Sequence, residues 1–248
     1  MLEDSRRVTQ TIEHEHSPEA ISERLAAGPQ HNYLRDWVYG GIDGAVTTFA
    51  VVSGVVGADL SVGIILIVGG ANILADGFSM AASNYLGTKT EIDQLKHLEK
   101  VEHRHIEEDP EGEREEVRQI YQAKGFEGEE LERVVDLITA DRERWVRTML
   151  TEEYGLPLEI RSPLAASLNT FASFVLCGLA PLLPFILKMS NAFLISCFLT
   201  GLVFFGIGSV KSRWSTESWW KSGAKTLLIG SIAAGLAYSV GVLLSKVT

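Results

Sequence analysis

Two long apolar segments follow one another in residues 38–87, and both carry carboxylates in their interiors. Each segment is long enough to cross a lipid bilayer, which takes about 20 residues of α-helix. Asp43 lies in the first segment and Asp76 lies in the second. Because an acid inside a membrane helix is costly, it usually faces a bundle interior or a water-filled path and has a function there. The two segments therefore predict a membrane protein that moves ions or protons.

Hydropathy predicts five membrane-spanning helices in this chain. Their approximate ranges are 38–58, 62–87, 163–187, 190–211 and 223–246. Pro181 and Pro184 fall inside the third range, where they predict a kink. Between the fourth and fifth ranges stand three residues placed as interfacial anchors would be, Trp214, Trp219 and Trp220. The predicted fold is an all-α membrane protein.

An acidic, water-soluble insert separates the second span from the third. Residues 91–161 hold 21 Asp and Glu side chains and 11 Lys and Arg side chains, whereas residues 164–210 hold a single charge, at Lys188. Most of the net charge of −10 comes from this insert. Such an acidic surface disfavours nucleic acid as a partner and favours cations.

The insert is expected to consist of four helices. Their predicted ranges are Thr90–Glu108, a segment that follows the Asp109–Gly112 turn and ends at Lys124, Glu127–Thr139 and Asp141–Tyr154. Gly125 stands where a glycine commonly ends a helix. No proline lies between Ser79 and Glu108, so the second span is expected to run unbroken into the insert.

Four regions follow from these patterns: a polar N-terminal segment with an amphipathic helix, spans one and two, the helical insert, and spans three to five. Their ranges are 1–36, 37–89, 90–161 and 162–248. Ser17 and Pro18 predict the start of the N-terminal helix. His14 and His16 are candidate auxiliary metal ligands, although such a pair more often belongs to a solvated tail. The two cysteines lie in apolar runs and are expected to be small buried side chains.

The placement of basic residues predicts which side of the membrane each loop faces. Basic side chains flank the first span, occur throughout the insert and cluster in the loop 211–225. Those of the loop are Lys211, Arg213, Lys221 and Lys225. Since cytoplasmic loops carry an excess of Lys and Arg, the N-terminus, the insert and this loop are expected in the cytosol. With five spans, the C-terminus then lies on the opposite side.

Helical spacing sorts the polar side chains of the first two spans into two stripes. Asp36 and Asp43 are two turns apart and share one face. On the second span the polar side chains recur every four residues, and together the two stripes are predicted to line a path. The predicted path residues are Asp36, Asp43, Asn72, Asp76, Met80 and Asn84. Carboxylates and amides offer hard oxygen ligands and Met80 offers a soft thioether, a mixture that favours a divalent transition metal over Mg²⁺ or Ca²⁺.

The insert carries a second group of candidate metal ligands. Glu102 and His105 are three residues apart, as are Glu113 and Glu116, and a hairpin at Asp109 would bring the two pairs together. Three side chains of the fourth insert helix are candidates to complete the site, namely Met149, Glu152 and Glu153. The Glu-x-x-His spacing also occurs in di-iron carboxylate bundles. A solvated acidic face is the alternative, because carboxylate pairs arise by chance in so acidic a segment.

Several motifs together resemble the vacuolar iron transporter family. They are Asp36–Gly44, Ala75–Ala81, Glu107–Glu111, Tyr121–Gly125, Ser162–Ala165 and Pro181–Pro184. The resemblance covers nearly the whole chain in motif order and spacing. It implies five spans, a homodimer in the lipid bilayer, and a cytosolic metal-binding domain after the second span. It further implies exchange of Fe²⁺ for protons, with iron leaving the cytosol.

The resemblance also implies roles for individual residues. Asp43 and Met80 would line the path, and the insert would bind metal through Glu102, Glu113, Glu116, Met149 and Glu153. One departure is His105, where the family typically has glutamate. No permanently bound cofactor is implied, with Fe²⁺ as substrate and Mn²⁺, Co²⁺ and Zn²⁺ as alternatives that imidazole also suits. The membrane would be the plasma membrane in a prokaryote and the vacuolar membrane in a eukaryote.

Three alternatives remain at the level of sequence. The chain is an exporter of Mn²⁺ or of a broad range of divalent metals, a membrane-anchored di-iron oxidase built on the insert, or a metal sensor or store that moves none. The oxidase hypothesis gives no role to three side chains inside the membrane spans, Asp43, Asp76 and Met80. A transporter rather than an enzyme is therefore the prediction.

Overall fold

A computed structural model describes residues 15–28 and 32–244 of the chain. Within these residues the regular structure is entirely helical. The α-helices are α1 (Pro18–Ala26), α2 (Leu34–Gly57), α3 (Val62–Glu108), α4 (Pro110–Ala123), α5 (Gly128–Thr139), α6 (Arg142–Glu152), α7 (Pro163–Ile186), α8 (Ala192–Lys211) and α9 (Trp219–Leu244). A short 3₁₀-helix, Ser212–Trp214, follows α8.

Helix α1 belongs to a small N-terminal unit and begins as predicted. The Ser17 side chain accepts a hydrogen bond from the Ala20 backbone N–H at 3.3 Å, and Pro18 occupies the first helical turn. These are the preferred residues at a helix N-terminus. The first N–H groups of a helix need an acceptor, which serine provides, and proline has no N–H group that would need one. His16 lies just before the helix, whereas His14 lies outside the described residues.

Five helices of the second unit are long and apolar enough to cross a membrane: α2, α3, α7, α8 and α9. The five predicted spans are thereby confirmed, and the chain is a multi-pass membrane protein. Helix α2 begins at Leu34 rather than near residue 38. The hydropathy pattern misses its first turn because Arg35 and Asp36 are charged, although both are compatible with a helix.

Helix α3 is a single helix of 47 residues. At 1.5 Å per residue it extends for about 70 Å, roughly twice the thickness of a bilayer's hydrocarbon core. The predicted unbroken continuation of the second span is therefore confirmed. One continuous helix thus carries both the polar stripe of that span and the first pair of predicted ligands in the insert.

The insert packs α4, α5 and α6 around an apolar core, whose buried members are Val117, Leu131, Val135, Ile138, Trp145 and Met149. The expected four-residue turn at 109–112 is wrong, because α4 begins at Pro110 and only Asp109 is non-helical. The Asp109 carboxylate accepts from the Gly112 N–H at 3.1 Å, which starts the helix at once. Gly125 ends α4 in the left-handed region, with φ of +96°.

Helix α2 packs closely against α7 through two glycines. A Cβ atom at Gly44 would lie 2.3 Å from the carbonyl oxygen of Phe174, and one at Gly40 would lie 2.2 Å from that of Thr170. Only glycine permits such an approach of two helix backbones. Gly40 and Gly44 of α2 therefore contact α7, while the acids Asp36 and Asp43 of the same helix face different neighbours.

The outer faces of the five long helices expose many large apolar side chains, as membrane-facing surfaces do. Trp214, Trp219 and Trp220 are also more than half exposed around the α8–α9 connection. Cys177 is buried and Cys197 is partly buried, both as free thiols. Helix α7 continues through Pro181 and Pro184, and the Ser196 hydroxyl donates to the Pro181 carbonyl at 2.8 Å.

Candidate metal path and insert site

Asp36, in the first turn of α2, is almost completely buried, with 1% of its surface exposed. Both of its carboxylate oxygens lie 2.8 Å from Nη1 of Arg161, in the segment before α7. Asn84 of α3 donates from Nδ2 to Asp36 Oδ1 at 2.9 Å. A charge buried to this degree needs such a partner and such hydrogen bonds. Asp36 and Asn84, both predicted path residues, are thus in contact, and Arg161 was not predicted.

The Asn84 amide ties three helices together. Its Nδ2 also contacts Thr170 Oγ1 of α7 at 2.7 Å, and Thr88 donates to Asn84 Oδ1 at 3.4 Å. Thr170 in turn donates to the Ala166 carbonyl at 3.0 Å. The insert-side end of the α2–α3–α7 junction is therefore a hydrogen-bonded plug around one buried carboxylate.

Deeper in the span, α2 and α3 each contribute one acid, Asp43 and Asp76. Asp43 is half-buried, and its carboxyl group interacts electrostatically with that of Asp76. Asp76 accepts a hydrogen bond from Nδ2 of Asn72, whose buried Oδ1 has no hydrogen-bond partner. Among the described residues neither acid forms an ion pair with a base. Two acids and an unused amide oxygen in this arrangement offer acceptors for a cation or a proton.

Met80 lies one turn from Asp76 and one turn from Asn84 on α3, and it is half-buried. Residues four apart lie above one another on a helix face. The stripe on α3 therefore leads from the Asp43–Asp76 pair, past the Met80 thioether, to the Asn84 plug.

The centre of the insert cluster is formed by Glu102, His105 and Glu113. Glu102 is completely buried and Glu113 is 6% exposed, and the two carboxyl groups lie close enough for the charge of Glu102 to raise the pKa of Glu113. His105 Nδ1 lies 3.2 Å from Glu113 Oε1 and 3.9 Å from Glu102 Oε1. Oε2 of both glutamates is buried without a hydrogen-bond partner. Buried carboxylate oxygens that lack donors are costly unless a cation or proton binds them, and this donor set suits Fe²⁺.

Tyr154 is a member of this cluster that sequence reasoning missed. Its hydroxyl group lies 3.0 Å from Oε1 of Glu102 and donates to it. Burial and this hydrogen bond to a negative oxygen raise the pKa of Tyr154. A donor of this kind orients a ligating carboxylate and fixes which oxygen remains free for metal. A tyrosine directly after the predicted ligand Glu153 was the available signal.

Glu116 and Glu153 lie at the edge of the cluster. Burial raises the pKa of Glu153, and the nearby carboxylates of Glu116 and Glu102 raise it further, whereas His105 lowers it. The side chains of both residues are largely exposed to solvent, and only the inner part of Glu153 is buried. They therefore add negative charge to the mouth of the site.

Met149 and Glu152, also predicted ligands, are placed differently. Met149 is fully buried in the apolar core of the insert, one turn before Glu153 on the same face of α6. Glu152 forms an ion pair with Nζ of Lys124 at 2.5 Å. Adjacent helical residues point about 100° apart, so the structure does not place Glu152 with Glu153.

A second group of ligand-type side chains lies on the insert, formed by Glu99, His103 and Glu143, whose donor atoms are within 4.8 Å of one another. However, Nε of Arg142 donates to Nδ1 of His103 at 3.1 Å. The imidazole proton is then on Nε2, which faces Glu143 at 3.8 Å. In this tautomer that nitrogen has no free lone pair for a metal, so the partner that the structure gives to His103 is Arg142 rather than a metal.

Comparison with known proteins supports one family. The sequence profile of the VIT family matches residues 34–242. The chain belongs to the VIT family. Among its relatives, the vacuolar iron transporter of Toxoplasma gondii is 34% identical over 87% of this chain and 76% of the relative. Vacuolar iron transporter 1 of Oryza sativa subsp. japonica is 30% identical over 92% and 89%. That of Arabidopsis thaliana is 31% identical over 83% of each.

The resemblance inferred from motifs is thereby confirmed. These VIT-family relatives are named as transporters, in agreement with the prediction that the chain is not an enzyme. The matched range contains both the acids of α2 and α3 and the whole insert. His14 and His16 lie outside it.

The metal-free VIT-family chain is expected to lose stability as the pH rises. Burial, and then the charges of Glu102, Glu116 and Glu153, raises the pKa of Glu113 from 4.5 to about 8. A raised folded-state pKa contributes stability that is complete below pH 4.5 and lost as the pH passes 8. At about 1.4 kcal/mol per pKa unit the full shift corresponds to about 5 kcal/mol, and solvent screening of the exposed Glu116 and Glu153 reduces the expected loss to on the order of 3 kcal/mol.

Thermal unfolding in detergent with a chelator, between pH 5 and pH 8.5, measures this effect. Glu113→Gln is expected to flatten the fall in Tm, because glutamine does not ionise. Glu130→Gln is the control, since Glu130 is exposed on α5. An equally steep fall in the Glu113 variant would contradict the assignment of the raised pKa.

Proposed function

We propose that the chain is a proton-coupled divalent metal transporter that moves Fe²⁺ out of the cytosol. The observation that supports this most directly is the continuity of α3. One unbroken helix carries Asp76 and Met80 within the span and Glu102 and His105 within the insert. A metal site and an acidic intramembrane stripe are thus built on the same rigid element.

In this mechanism the insert captures the metal. The free oxygens of Glu102 and Glu113 bind the cation, with His105 as a nitrogen ligand and the edge carboxylates of Glu116 and Glu153 attracting it. Negative charge gathered at one mouth raises the local concentration of cations. Because a ligating carboxylate must be ionised, binding also releases the proton that Glu113 retains near neutral pH.

The cation then passes to the Asp43–Asp76 pair, with Met80 contributing its thioether. Two facing acids repel when both are ionised, so each favours a bound cation or a proton. Protons arriving from the opposite side would therefore release the metal there. This exchange gives the coupling, with Asp43 and Asp76 as the groups that carry metal and proton in turn.

The orientation follows from the basic residues of the 211–225 loop and of the insert, which favour the cytosolic side. The membrane would be vacuolar in a eukaryote, as the names of the relatives state for those proteins, and the plasma membrane in a prokaryote. A homodimer is also proposed. The apolar face of α3, which includes Ile67, Leu74 and Phe78, is exposed and available to a second copy or to lipid.

A broader substrate range is favoured by one observation. His105 contributes an imidazole to the centre of the cluster, 3.2 Å from Glu113. Imidazole binds Mn²⁺, Co²⁺ and Zn²⁺ as well as Fe²⁺. Export of Mn²⁺ or of several divalent metals is therefore the second candidate function.

Uptake into proteoliposomes with an acidic interior tests the proposal. Fe²⁺ kept reduced by ascorbate is expected to accumulate inside, and collapse of the pH gradient by nigericin is expected to remove most of the uptake. Competition by Mn²⁺, Co²⁺ and Zn²⁺ measures the substrate range. Uptake that ignores the gradient would contradict proton coupling. Metal binding without any uptake would indicate a sensor or store instead.

A further inference from the structure

Arg161 holds a position at Asp36 that a metal ion would otherwise be able to take. A single nitrogen, Nη1, lies 2.8 Å from both carboxylate oxygens, in the notch between them. A divalent cation bound by both oxygens of a carboxylate occupies the same notch. Asp36 therefore cannot bind a second cation through both oxygens while Arg161 stays.

The Asp36–Arg161 ion pair joins two full opposite charges, but its hydrogen-bond geometry is not the strongest that arginine can form. Arginine remains charged at every accessible pH, so the pair is opened by displacement of Arg161. Within the described residues, the hydrogen bonds that Arg161 donates come from Nη1 alone. The two-nitrogen fork that gives arginine–carboxylate pairs their greatest strength is not used here. The Arg161 side chain is 18% exposed, so part of it already reaches solvent.

The position of Arg161 in the chain connects the two candidate metal sites. It lies in the non-helical segment between α6 and α7, eight residues after Glu153. That segment begins at the insert cluster, where Tyr154 contacts Glu102. It ends at the buried carboxylate on the insert side of the membrane helices. A change at the insert cluster can therefore reach Arg161 through a few residues of backbone.

We propose that Arg161 is an internal cation that closes the path at Asp36 and is displaced when metal enters. The proposal rests on the transport function proposed above, and it adds Asp36 as the ligand that the metal meets between the insert and the Asp43–Asp76 pair. Asn84 then serves a second purpose. Its hydrogen bond to Asp36 Oδ1 keeps the carboxylate oriented whether arginine or metal occupies the notch.

Mn²⁺ binding to the purified full chain tests this without relying on transport. The insert site is first silenced by Glu102→Gln with Glu113→Gln. Adding Arg161→Gln is expected to raise Mn²⁺ affinity by about tenfold or more, which corresponds to about 1.4 kcal/mol, and to add one Mn²⁺ per chain. Further addition of Asp36→Asn is expected to remove the gain. Arg213→Gln, at an exposed base of the α8–α9 connection, controls for the loss of positive charge alone.

An unchanged Mn²⁺ affinity in the Arg161→Gln protein would overturn the proposal and leave Arg161 as a structural clamp. Should that protein not fold, judged by its Tm, Arg161→Lys replaces it. A lysine ammonium fits the notch less well than arginine, so a smaller gain in Mn²⁺ affinity is expected. A Mn²⁺ affinity equal to that of the protein with only the insert site silenced would again overturn the proposal. In proteoliposomes Arg161→Gln is expected to lower the KM for Fe²⁺. If the wild-type protein takes up no Fe²⁺ while Arg161→Gln still produces the Mn²⁺ gain, transport is refuted and the competition at Asp36 is retained.

Discussion

Replacing Asp43 with asparagine is expected to reduce pH-gradient-driven Fe²⁺ uptake by about tenfold or more, since one lost charge interaction of about 1.4 kcal/mol already gives that factor. Asp43 is half-buried on α2 and interacts with Asp76, and among the described residues neither acid forms an ion pair with a base. Asparagine preserves the volume and one oxygen. It removes the negative charge that would attract the metal and the group that would take up the proton.

The same substitution is expected to leave the folded protein as stable as the parent or slightly more so. It removes one of two facing acids, and like charges in a membrane helix are costly. A loss of uptake would therefore not be explained by unfolding. Thermal unfolding and metal binding by the insert should both remain at parent values.

Asp59→Asn is the matched control for this experiment. Asp59 is exposed in the turn between α2 and α3 and has a positive φ of 56°. Asparagine tolerates that left-handed conformation nearly as well as aspartate does. Uptake should therefore match the parent. Equal Fe²⁺ uptake by the Asp43→Asn variant and the parent, at equal amounts of protein in the vesicles, would show that Asp43 is not part of the path.

The architecture was accessible from sequence because it is determined by local patterns. Long apolar runs identify the spans, and the absence of proline between Ser79 and Glu108 correctly predicted a continuous α3. Ser17, Asp109 and Gly125 mark helix ends through their own backbone and side-chain chemistry. The Asp109 boundary was misjudged only because an aspartate cap followed by proline starts a helix without a longer turn.

The partners of the site residues were less accessible, because they depend on packing between distant segments. Arg161 and Asp36 are 125 residues apart, and Tyr154 and Glu102 are 52 apart. Helical spacing reports which side chains share a face, but not which helix that face meets. For the same reason, helical spacing alone does not show that Gly40 and Gly44 of α2 contact α7.

Replacing Glu102 with glutamine is expected to weaken metal binding to the insert by on the order of 100-fold, the upper end of what loss of ligand support costs. Glu102 is completely buried, and one of its oxygens has no protein partner. Glutamine would present an amide in place of an anion at the centre of the cluster. Tyr154→Phe removes only the hydroxyl donor to Glu102, so a smaller loss of about tenfold is expected.

Thermal unfolding with and without metal separates this effect from misfolding, because the Tm of the Glu102 variant should exceed that of the parent without metal and fall below it with metal. Without metal, Glu102→Gln removes a buried carboxylate from beside Glu113, so Tm should rise at pH 8. With metal at 100 times its Kd, the parent gains about 2.7 kcal/mol, and a 100-fold weaker site retains only a small part of that. Calorimetric titration with Co²⁺ gives the affinities, and Glu130→Gln again serves as the control. Parent-like Co²⁺ affinity in the Glu102 variant would show that the insert cluster is not the metal site, while the Asp43 experiment would stand independently.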